Sequence, residues 1–189
     1  MNVLGRWAGV LAMAGGGLIT VVLVIGALAP TSTVWYGLFL GIVLLGAAVP
    51  ALHWRMRPAT GRLGLAAAWL SGLGSVVIVA LAAYLIGTGQ VGPSQQDLPD
   101  GPLTLVGMAA SFAWLLGNLG FALALIRSRA LPSLGAWLVL AGAFVASAVA
   151  PFVGEDSPAA LTQAATLVFG LVPLGWILVG STTWRRTGS

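Results

Sequence analysis

From Leu103 to Ile126 the chain carries no charged residue, with Asp100 just before this run and Arg127 and Arg129 just after it. As a helix rising ~1.5 Å per residue, the run is long enough to cross the roughly 30 Å hydrocarbon core of a bilayer. Acid stands at one end, base at the other, and a single carboxamide, Asn118, lies inside. Such a segment is too apolar to face water on every side, so its surroundings must be lipid or other apolar helices. The rest of the chain repeats the pattern in alternating direction.

Five further runs of similar character give spans at about 8–28, 34–52, 63–87, 133–153 and 159–182, with the first run at 103–126 as the fourth in order. Between them lie the gaps that hold all the charge. Arg6, then Arg55, Arg57 and Arg62, then Arg127 and Arg129, then Arg185 and Arg186 fall on one side of six spans. Asp97, Asp100, Glu155 and Asp156 fall on the other. The rule that basic loops stay cytoplasmic then predicts an all-α, single-domain, six-span protein with both termini inside. The runs are too long for barrel strands and do not alternate, so helices are the only spanning form open to them. The first run also reads as a signal peptide, with Ala27-Leu28-Ala29 resembling a cleavage site. It is long for an h-region, and Pro30 at the would-be +1 position argues against cleavage, so the expectation is a retained span.

Composition agrees. Charged residues make up 6% of the chain against about 25% in a soluble domain, and mean hydropathy is +1.03. The basic balance, eight arginines against four acids, sits beside the spans. It therefore points to anionic headgroups on the cytoplasmic side as partners, and away from nucleic acid. The absence of cysteine excludes disulfides, iron–sulfur clusters, thiolate zinc and cysteine nucleophiles. The absence of lysine excludes a Schiff-base cofactor, and the single histidine, His53, cannot supply two axial haem ligands. No cofactor, metal or catalytic residue is expected.

Within the spans, chemistry-bearing residues are few. No Asp, Glu, Lys, Arg or His falls inside any of them, whereas proton-coupled carriers, pumps and intramembrane hydrolases ordinarily need one. Asn118 has two readings. One is a clasp to a neighbouring helix, with Gln163, Thr166, Ser75 or Ser147 as partner. The other is a ligand-binding amide in a midplane cavity near Trp114, Gln163 and Pro173, with Trp114 and Trp176 as its walls. Pro173, between Gly170 and Gly175, predicts a kink in the sixth span with the carbonyl of Phe169 freed. Small residues at helical spacing are abundant, and Gly37 and Gly41 form the clearest pair for helix association, within the chain or with a partner. Arg55, Arg57, Arg62, Arg127, Arg129, Arg185 and Arg186 are candidate anionic-lipid contacts. His53 would need Ser128 or Ser133 within reach to do nucleophilic chemistry. The outside acids read as solvated turn residues, or as ligands for a hard cation.

The stretch Arg127-Ser128-Arg129-Ala130-Leu131-Pro132-Ser133-Leu134-Gly135-Ala136-Trp137 resembles uncharacterised bacterial six-span proteins. In those, the fourth helix similarly ends in a basic turn, Leu-Pro, and a Trp opening the fifth. The resemblance covers spans four to six and implies no activity. Rich use of alanine, glycine and arginine without lysine is similar to that of proteins of high-GC bacteria. The expectation is a non-enzymatic protein of the bacterial inner membrane. It would be an accessory or partner subunit, or a homo- or hetero-oligomer. The alternative is a carrier or binding component for a small neutral or lipid-like molecule near Asn118.

Overall fold

The computed structural model describes residues 3–28, 33–88, 101–131, 133–149 and 168–188, and all the regular structure among them is helical. The helices are α1 (Val3–Leu28), α2 (Thr33–Gly87), α3 (Pro102–Ser128), α4 (Ser133–Val149) and α5 (Leu171–Gly188). Three of them, α1, α2 and α3, are long and apolar enough to cross a membrane; Leu134–Val145 of α4 is a shorter apolar stretch.

The second and third predicted spans are the two arms of α2, which meet at a sharp kink in the basic loop between them. The backbone breaks there: Met56 (φ −101°, ψ 16°) and Gly61 (φ 57°, ψ −150°) leave helical geometry. Gly61 occupies a region that disfavours any residue with a Cβ, so glycine makes the reversal possible. Pro58, between them, removes a backbone donor and helps end the first helical stretch. The chain then folds back, and Gly46 of the first arm (33–55) faces Ser75 of the second (62–87).

Small residues set the remaining contacts. α1 packs antiparallel to the first arm of α2, with Gly15 against Leu44 and Leu45, and Gly41 against Ile19. The second arm packs antiparallel to α3, where Gly74 meets the backbone of Ala110 and Trp114. α5 runs antiparallel to α4 through Gly135 and Gly175, and antiparallel to α1 through Gly9 and Gly180. With α3 touching α4, the helices close into a ring: α1, the two arms of α2, α3, α4, α5 and back to α1. The register brings the arginine-bearing ends together. Arg6 lies over the Trp184 ring, 4.5 Å from its centroid, and Arg186 donates to the Ala130 carbonyl at 2.5 Å.

Local signals hold in part. Pro102 opens α3, where its missing N–H costs nothing, preceded by Gly101 at φ 144°. Arg129 caps α3 in the left-handed region (φ 50°), its N–H reaching the Ile126 carbonyl at 3.3 Å. Residues 168 and 169 are helical, Gly170 is a turn and the helix resumes at Leu171, so the regular structure is interrupted just before Pro173, where the sequence places a kink. The 154–158 turn, the acids Asp97, Asp100, Glu155 and Asp156, and the start of the sixth predicted span lie outside the described residues.

Candidate functional site

Asn118 stands on the face of α3 turned to the middle of the ring and is fully buried. Its Nδ2 donates to the Trp114 carbonyl one turn back, at 2.7 Å, and lies 3.5 Å from Ser71 Oγ on the second arm of α2. Its Oδ1 accepts the indole N–H of Trp176 from α5, at 2.7 Å. Trp176 in turn stacks on Phe121, with centroids 6.0 Å apart and planes 22° from parallel. One amide thus ties three elements across the core. Gly117 explains how α2 comes close enough: a Cβ there would lie 2.7 Å from Ser71 Cα and nearer still to its nitrogen. Ser75 uses its hydroxyl on the Ser71 carbonyl, at 2.9 Å.

The partners differ from those anticipated. Ser71 and Trp176 engage Asn118, while Ser75 bonds within its own helix; Gln163, Thr166 and the side chain of Ser147 lie outside the described residues. Trp114 is brought next to Asn118 and is buried at 4% exposure, with its indole nitrogen lacking a hydrogen-bond partner among the described residues. Pro173 lies one helical turn from Trp176, and its carbonyl faces Gly16 of α1. A ligand at Asn118 would have to displace Trp176 from the amide oxygen and open the stacked pair beneath it. Ser71 and Phe121 were not singled out as site residues in the sequence; the signal for Ser71 was the glycine at 117, since a Gly beside a buried amide marks close approach of another backbone.

Gly37 and Gly41 associate with α1: Cβ atoms there would meet side chains of Val22 and Ile19. The pair is therefore occupied inside the ring, and a face for an outside partner has to be sought elsewhere.

At the arginine end, the hairpin tip forms a second polar cluster. Thr60 donates its hydroxyl proton to the Met56 carbonyl at 3.1 Å, so the 3.0 Å contact with His53 is a bond from Nδ1–H to Thr60 Oγ1. That fixes the neutral tautomer with a bare Nε2, which is buried and without a partner among the described residues. Burial, and then the nearby Arg57 charge, push the His53 pKa below 6.5. Ser128 donates to the Leu125 carbonyl at 3.1 Å and accepts from Ala130 N–H at 3.3 Å. The side chain of Ser133 lies outside the described residues. Arg57, Arg62, Arg127, Arg129, Arg185 and Arg186 are exposed, and Arg55 is half-buried. Among the described residues no three His, Cys, Asp or Glu side chains gather to hold a metal.

No protein-family model, curated protein or solved structure matches the chain.

Proposed function

We propose that the chain is a six-span protein of the bacterial inner membrane, with both termini cytoplasmic, that acts through contact with other membrane components and not through catalysis. The observation that carries this reading is the filled centre of the ring. Asn118, Trp176 and Phe121 occupy the place where a carrier would hold its substrate, and their polar atoms are already engaged. What remains available is the outside: an apolar belt that includes Trp69, Leu73 and Val76 on the second arm of α2. The two arms of α2 supply spans two and three, since their reversal at Met56–Gly61 returns the chain to the far end of the ring. Arginines gathered at one end favour that end as the cytoplasmic one. On this reading the protein is an accessory or partner subunit, or a bundle that self-associates.

Native mass spectrometry of the gently solubilised full chain tests it. A defined complex, with a second copy or a co-purifying subunit at fixed stoichiometry, is the expected result. A protein that is monomeric and subunit-free in every mild detergent would overturn it.

A further inference from the structure

The two arms of α2 diverge on their outer face and leave a groove of about 730 Å³, within the roughly 300–1,000 Å³ range of small-molecule sites. Gly46, Ala68 and Ser75 form its buried floor, while Ala47, Trp54 and Trp69 stand exposed along its sides. The floor is low because its residues are small. Ser75 adds no free polarity, because its hydroxyl is bonded to Ser71. On the first arm the lining extends from Trp54 up to Val43, roughly 16 Å at ~1.5 Å per residue, and on the second from Leu65 to Ala83, roughly 27 Å. The longer wall approaches the ~30 Å of the whole hydrocarbon core, so the groove can take an acyl chain along its length.

Besides Ser75 the one polar lining residue is His53, next to Trp54, and the arginines lie beyond the mouth at this end and not in the lining. Trp54 stands at this mouth, and the Arg57 guanidinium lies over its ring, 5.9 Å from the centroid. Arg55, next in sequence to Trp54, keeps one guanidinium nitrogen (Nη1) out of solvent and without a hydrogen-bond partner among the described residues. Arg62 is exposed just beyond the reversal. A long apolar slot whose mouth lies beside exposed guanidinium groups matches one kind of molecule.

We infer that the α2 hairpin binds an anionic phospholipid, with an acyl chain lying between the arms and the phosphate held by Arg57 together with Arg55 or Arg62. This goes beyond the contact reading above, and rests only on the chain being in a membrane. Guanidinium forks suit phosphate oxygens, and the Trp54 ring holds Arg57 at the level where headgroups lie.

The test is lipid retention by the full chain, taken from mixed micelles of phosphatidylglycerol and phosphatidylcholine and read by native mass spectrometry. Wild type should retain phosphatidylglycerol in preference. Ala47→Phe fills the groove from an exposed position, and Gly72→Leu fills it from a site where a Cβ meets only ordinary contact with Pro50. Both should lose the retained lipid whatever its headgroup. Arg57→Gln should keep the acyl chain but reduce the preference for phosphatidylglycerol about fivefold, the factor one arginine contributes near an anionic surface. Retention unchanged in Ala47→Phe, or loss of a bound protein in place of a lipid, would overturn the inference. The orientation is read separately, by labelling R62C and T88C in a chain that has no cysteine of its own. Both cysteines on one face would sink the six-span reading while leaving the lipid result standing.

Discussion

The indole N–H of Trp176 and the Oδ1 of Asn118 meet at 2.7 Å in the centre of the helix ring, 58 residues apart in the chain. With no water in the hydrocarbon region, each group depends on the other. Trp176→Phe keeps an aromatic ring against Phe121 but removes the donor. It should lower stability by about 1–2 kcal/mol, the upper range for interhelical hydrogen bonds in membranes. Asn118→Leu removes the acceptor and strands the indole, and should cost a similar amount. The double variant should cost less than the sum of the two, because they share one bond. Thermal unfolding in a single detergent, followed by near-UV circular dichroism, gives all three values.

Two glycines on facing helices make a matched pair of controls for packing. Gly117 admits no Cβ, because Ser71's backbone already occupies the space. At Gly72 an added Cβ would lie 3.5 Å from the Pro50 ring, an ordinary contact. Gly117→Ala should therefore destabilise by about 1–3 kcal/mol through overpacking. Gly72→Ala should be neutral or stabilise by up to about 1 kcal/mol through helix propensity. Equal melting temperatures for the two variants would contradict the close approach of α3 to the second arm of α2.

Acid should loosen the hairpin tip. Burial and Arg57 hold the His53 pKa below 6.5 in the folded protein, so between pH 6.5 and that lowered value the unfolded chain takes up a proton that the folded one does not. Stability is therefore fully present above pH 6.5 and declines as pH falls through this window. Protonation would also place a second positive charge beside Arg57. The His53→Gln variant should be less stable at pH 7.5, having lost its bond to Thr60, but its melting temperature should change less between pH 7.5 and 5.5. Parallel wild-type and variant profiles across that interval would show that another group titrates.

Much of the architecture was legible because an ion in hydrocarbon is so costly. Arg55, Arg57 and Arg62 marked the place where α2 reverses, and Arg127 and Arg129 marked the end of α3. The apolar runs between them had the length of helices that cross a bilayer. Pairing between helices was far less legible. Gly37 and Gly41 announced a close neighbour but not which one, and α1 took the place. Asn118 announced a partner, yet its choice of Ser71 and Trp176 depends on the register of α3 against α2 and on the rotation of α5. No spacing within a single helix records either.

Because α1 lies between the first arm of α2 and α5, the ring is shut by two helices far apart in the sequence. Gly9 rests on Gly180, and Gly16 on the Pro173 carbonyl. During synthesis, α1 must therefore wait for α5 before its glycine face is covered. Until α5 has emerged from the ribosome, that face stays open to lipid or to a chaperone. A chain cut short before Leu171 would keep this seam open permanently, a feature that membrane quality control can recognise.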